Sequence, residues 1–163
     1  MQKKKLSSNN PLEIFVDGAA RGNPGPAGAG VYIKQNDQEI IKKGFYLGEK
    51  TNNQAEYLSL ALAIFLVLQE ISELDIKPKL IITSDSELLV RQITGLYKVK
   101  NPILKQIKDL IVLLLKNINF EINHVLRDKN KIADKLSNDG VDKKNKLPAG
   151  FVCLLKKHNI NIL

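Results

Sequence analysis

The chain has 163 residues, 44% hydrophobic and 26% charged, with a formal net charge of +8. That composition excludes disordered and collagen-like chains, and the length fits one domain that buries roughly two-thirds of the surface its unfolded form exposes. The charge favours encounter with polyanions without specifying one, while the apolar runs Ala63 to Leu68 and Leu110 to Leu115 fall far short of the roughly 20 residues that span a bilayer.

Residues 1–10 are polar and aperiodic and read as a flexible, frayed tail. Leu12, Ile14 and Val16 alternate along a strand ending near Asp17. A loop rich in glycine and proline (Gly22, Gly25, Gly28, Pro24, Pro26) then leads to a second strand, Ala29 to Lys34, and Gln35 to Gln38 turns the chain into a third, Glu39 to Leu47. Thr51-Asn52-Asn53-Gln54 has the form of a capping box for a helix over Ala55 to Glu70. Lys79 to Thr83 is a short β-branched strand ending at Ser84-Asp85-Ser86, and a helix from Glu87 to Thr94 stops at Gly95. Asn101-Pro102 opens a helix to about Lys116 with a cap and a first-turn proline. Phe120 to Val125 is a last strand, and Asn130 to Asn138 a last sizeable helix.

The element order β-β-β-α-β-α-α-β-α, antiparallel strands first and alternation afterwards, argues for an α/β domain with a mixed sheet covered by helices. The domain is expected over 11–142, followed by an extension over 143–163. Phe151, Val152, Leu154 and Leu155 of that extension suit either packing on the sheet or self-association.

A single cysteine, Cys153, allows no internal disulfide, and His124 and His158 supply no zinc-ligand cluster. No apolar stretch follows the basic residues Met1 to Lys5. A cytoplasmic protein is therefore expected, with no membrane association.

Four acids lie where elements meet. Asp17 and Asp85 end apolar strands, Glu56 falls in the first turns of a capped helix, and Asp134 interrupts the apolar face of the last helix. Taken singly, each suits a cap, a turn or a salt bridge. Brought together, their repulsion demands cations, and oxygen donors without His or Cys favour Mg²⁺ or Mn²⁺. Two such ions form a clamp for in-line attack on a phosphodiester.

The segments "DGAARGNPGPAGAG" from Asp17, "TNNQAEYLSLALAI" with Glu56, "ITSDSELLV" with Asp85 and "HVLRDKNKIADKLSNDG" with Asp134, plus "YKVKNP" at Tyr97 to Pro102, together resemble type 1 ribonuclease H. They are most similar to its compact archaeal and bacterial branch. The resemblance implies the ribonuclease H-like fold, with five strands in a mixed sheet. It also implies endonucleolytic cleavage of the RNA strand of RNA/DNA hybrids, with little sequence preference, leaving 5′-phosphate and 3′-hydroxyl ends. The implied metal ligands are Asp17, Glu56, Asp85 and Asp134, with Asp17 bridging two Mg²⁺ ions for which Mn²⁺ can substitute. Gly18, Asn52, Gln54 and Glu56 are implied at the RNA strand, and Asn23, Thr51 and Asn53 near the DNA strand or its phosphates. Capping is the competing reading for Thr51, Asn52, Asn53 and Gln54.

Where family members carry a loop histidine, this chain has His124 at a strand end and Arg127 seven residues before Asp134. The resemblance to the compact branch implies Arg127 near the scissile phosphate, electrostatic because arginine cannot serve as a base at neutral pH. Asn130 has helix-cap chemistry close to Asp134. The segment around Tyr97 is too short for the family's basic protrusion, leaving Lys98, Lys100 and Lys105 for DNA phosphates. A monomer is expected. The competing classes are a non-catalytic binding module on the same fold and a nuclease for double-stranded RNA.

Overall fold

The computed structural model describes residues 6–161. Strands β1 (Leu12–Ala20), β2 (Gly25–Gln35) and β3 (Gln38–Lys50) come first, followed by α1 (Asn52–Leu74), β4 (Leu80–Ser84), α2 (Glu87–Ile93), α3 (Pro102–Leu114), β5 (Phe120–His124), α4 (Lys131–Lys143) and α5 (Ala149–Lys157). The five strands form one sheet in the order β3-β2-β1-β4-β5. Pairing is antiparallel from β1 through β3 and parallel from β1 through β5, so β1 is the seam between the two halves.

The elements follow from local chemistry. The capping box closes as expected, with Gln54 N–H donating to Thr51 Oγ1 at 3.2 Å and Thr51 N–H to Gln54 Oε1 at 3.0 Å. Asn101 Oδ1 accepts from the amides of Ile103 and Leu104, and Pro102 opens α3. α1 is long and apolar enough to cross a bilayer, but more than half of its apolar stretch is buried inside the fold. It is apolar on several faces because it packs on β1 and β2 and carries α3 on its other side.

On the opposite face α4 lies directly on β1, β2 and β3. A Cβ on Gly28, Gly30 or Gly44 would run into the α4 backbone at Ser137, Ala133 and Leu136 respectively, and one on Gly140 would strike the Phe45 backbone. Side-chain-free positions on both partners thus let helix and sheet approach backbone to backbone.

Several expected boundaries move. β2 starts at Gly25, so Gly25 and Gly28 are strand residues, and Gly28 faces α4 rather than an open loop. Residues 6–10 of the frayed tail expected over 1–10 are held. Gln35 Nε2 donates to the carbonyls of Ser7 and Asn10, and its Oε1 accepts from Ser7 N–H. The rest of that expectation, residues 1–5, lies outside the described residues. The last sizeable helix runs on to Lys143, across the boundary expected at 142. In the extension, α5 buries Phe151 and Leu155 in the common core, with the Phe151 ring 5.5 Å from that of Phe65 on α1. Packing is the option it takes, as part of the same core.

Candidate active site

The seam at β1 creates the site. In the parallel pair Val16 lies opposite Ser84, so the next residues, Asp17 and Asp85, stand side by side where β4 ends; β1 itself runs on to Ala20, past the end expected near Asp17, because β2 keeps pairing it to Ala27. Neighbouring strands are about 4.8 Å apart, and such strand ends at a switch in sheet direction form the crevice of open α/β sheets. Gly18 faces α1 so closely that a Cβ would collide with the backbone of Ala55 and Glu56. That contact brings the start of α1, with Glu56, against the end of β1. Asp17 pairs with Gly30, and Gly30 is where α4 approaches at Ala133 and Ser137. The same missing side chain therefore sets Asp134 and Ser137 beside Asp17.

The four acids are linked electrostatically through Asp17 and Asp85. Asp17 is 8% exposed, and its carboxyl is pushed from 3.8 up to about 8, mainly by burial, then by the charges of Asp85 and Asp134, against a lowering hydrogen bond from Ser137. Glu56 is also raised, by burial first and Asp85 last, with Ser86 opposing. Ser137 Oγ reaches Asp17 Oδ2 at 2.9 Å, and Ser86 Oγ donates to Glu56 Oε2 at 2.7 Å while accepting from Leu89 N–H as the cap of α2. Arg127 Nη2 donates to Asp134 Oδ1 at 3.1 Å. With side chains so partnered, no three His, Cys, Asp or Glu groups among the described residues are gathered tightly enough to hold one ion. Carboxylates that repel one another and resist ionisation in burial are relieved by a bound cation.

The family model described as "Reverse transcriptase-like" matches residues 15–140. LC11-RNase H1, isolated from compost by a metagenomic approach, superposes with a TM-score of 0.75 at 40% identity, covering 82% of this chain and 97% of that one. The chain belongs to the type 1 ribonuclease H family. A second structure of LC11-RNase H1 is a complex with an RNA/DNA hybrid and matches at 39% identity with a TM-score of 0.76. Ribonuclease HI of Halobacterium salinarum is 35% identical over 133 residues, 80% of this chain but 64% of that protein. A bifunctional protein of Mycobacterium tuberculosis is 36% identical over 139 residues, 79% of this chain and 35% of its own length. The chain thus spans less than two-thirds of these two curated relatives.

Around this site hydrogen bonds tie the β1–β2 loop to the start of α1. Asn52 N–H donates to Asn23 Oδ1, and Asn52 Oδ1 accepts from Ala20 N–H, both at 3.1 Å. Asn52 therefore ties the loop down rather than capping its own helix, while Thr51 and Gln54 cap one another. Asn23 and Asn53 are exposed and Gly18 is buried under α1. His124 is exposed at the end of β5, in register with Ser84. Lys98, Lys100 and Lys105 are exposed, on the α2–α3 connection and the start of α3.

Asn130 departs from its expected role. It stands at the start of α4 but makes no side-chain cap. Its Nδ2 donates instead to the Val16 carbonyl at 2.9 Å, beside Asp17, and its buried Oδ1 accepts no bond among the described residues. Sequence reasoning missed Ser86 and Ser137. The available signal was local, since Ser86 directly follows Asp85 as the cap of α2 and Ser137 lies three residues beyond Asp134 on α4.

Proposed function

We propose that this protein is an endoribonuclease that hydrolyses the RNA strand of RNA/DNA hybrids. The observation that carries this reading is the convergence of Asp17, Glu56, Asp85 and Asp134 at the β1 seam, with Asp17 held near a pKa of about 8. The hybrid-bound structure of LC11-RNase H1 supports the substrate. Divalent ions, two Mg²⁺ or Mn²⁺ in our reading, held by these four carboxylates would activate water and stabilise the leaving oxygen.

The chain's own groups have separable tasks. Ser137 fixes the Asp17 carboxylate and favours its charged form, and Ser86 does the same for Glu56. Arg127, with a side chain 77% exposed, offsets the acids' charge and faces solvent where a phosphate approaches. Water adds to phosphorus, the P–O3′ bond breaks and O3′ takes up a proton, leaving 5′-phosphate and 3′-hydroxyl ends.

Hybrid is distinguished from duplex DNA by its 2′-hydroxyls. Gly18, Asn52 and Gln54, with Glu56, would read them, and Asn23, Asn53 and Thr51 would flank the DNA strand or its phosphates. Such contacts ignore base identity, so cleavage has little sequence preference. We place the protein in the cytoplasm as a monomer, a setting consistent with its lone cysteine. The test is a panel of labelled RNA/DNA hybrid, double-stranded RNA, single-stranded RNA and duplex DNA with Mg²⁺ or Mn²⁺. Hybrid cleavage with product ends of the stated kind is expected, and no hybrid cleavage with either ion sinks the proposal.

A further inference from the structure

The family model stops at residue 140, and the chain beyond it builds a feature of its own. The segment after α4 runs along the outer edge of β3, where Tyr46 N–H donates to the Asn145 carbonyl at 2.8 Å and Asn145 Nδ2 donates to the Gly44 carbonyl at 3.0 Å. α5 then packs against α1 through Phe151 and Phe65. Between the β3 edge and α5 lies an open cleft of about 630 Å³, within the ~300–1,000 Å³ usual for small-molecule sites.

Its wall is apolar, formed by Leu47, Leu147, Val152 and Ile160. Among the described residues, every charged residue lining it is a lysine, namely Lys144, Lys146 and Lys156. Lys144 Nζ sits 5.7 Å from the centre of the Tyr46 ring, so one ammonium is stationed at the cleft by a cation–π contact. An apolar wall beneath a rim of one sign selects a ligand with both an apolar body and an anionic head. A nucleic-acid backbone would use the lysines but gain nothing from the four aliphatic side chains.

We propose that the cleft between β3 and α5 binds a small amphipathic anion, an aliphatic carboxylate whose chain lies on Leu47, Leu147, Val152 and Ile160 and whose head meets the lysines. The four acids of the active site take no part. Calorimetric titration of the full chain with decanoate, decanol and acetate tests this, with amide shifts in NMR spectra locating the site.

Decanoate is expected to bind once per chain in the roughly micromolar range, and acetate at least about a hundredfold more weakly. The double variant Lys146→Ala/Lys156→Ala loses about tenfold or more for decanoate but little for decanol. Val152→Gln, on a part-exposed helix face where folding is not at stake, weakens both, and neither variant changes affinity for an RNA/DNA hybrid. The proposal is overturned by no saturable decanoate binding up to about 1 mM, by binding that both variants leave intact, or by lysine variants that weaken hybrid binding instead.

Discussion

Replacing the titratable carboxyl of Asp17 should stabilise the metal-free protein. Its carboxyl has an ordinary value of 3.8 and a folded value of about 8, so between those limits the folded chain holds a proton that the unfolded chain has released. Stability that is full below pH 3.8 is therefore lost progressively as pH rises, levelling out above about 8. At pH 7 roughly three pH units of that window have been crossed, which at ~1.4 kcal/mol per unit sets an upper bound of about 4 kcal/mol. Relaxation of the site and entry of water reduce this, so Asp17→Asn, which keeps the shape and an acceptor for Ser137, should gain about 2–4 kcal/mol at pH 7. The gain should shrink towards zero near pH 4. Urea unfolding of both proteins in EDTA across this range measures it. Adding Mg²⁺ should then stabilise the parent and leave the variant nearly unmoved. Equal or lower stability of Asp17→Asn throughout the range would refute the account of a buried carboxyl crowded by Asp85 and Asp134.

Other outcomes follow from the same geometry. Gly30→Ala places a Cβ against the Ala133 carbonyl and Ser137 N–H of α4, and should cost about 1–3 kcal/mol in urea unfolding as well as activity, because α4 carries Asp134. Ser137→Ala removes the hydroxyl that favours the charged form of Asp17, and should weaken Mn²⁺ binding by calorimetry about tenfold. Thr51→Ala breaks the capping box of α1 and should lower stability by about 1 kcal/mol in thermal unfolding. Arg127→Ala should leave the melting temperature almost unchanged, its ion pair with Asp134 being largely exposed, while raising KM for hybrid.

Much of the fold is written locally. The alternation of Leu12, Ile14 and Val16, the capping box at Thr51 and the Asn101-Pro102 start each specify an element from a few neighbouring residues, and each element is present. Ends depend on contacts made from elsewhere. β2 extends back to Gly25 because β3 pairs it there, Gly25 opposite Lys50. α4 extends to Lys143 because Gly140 and Val141 bury against the sheet. α5 has the i, i+4 pair Phe151 and Leu155, but its apolar residues acquire a meaning only with α1 to cover.

The sequence by itself determined the residue types of the site: four carboxylates, an arginine seven residues before the last, and no His or Cys cluster. Residue type and spacing limit the chemistry to oxygen ligation of hard cations, because that is a property of the side chains alone. Tertiary structure decided that Asp17 and Asp85 emerge side by side from parallel strands, that Gly18 and Gly30 admit α1 and α4 to within backbone contact, and that Ser86 and Ser137 hold two of the acids. Only chain pairing across the β1 seam, over 100 residues of separation between Asp17 and Asp134, buries the Asp17 carboxyl and sets it in the field of Asp85 and Asp134, and burial first and those charges second raise it.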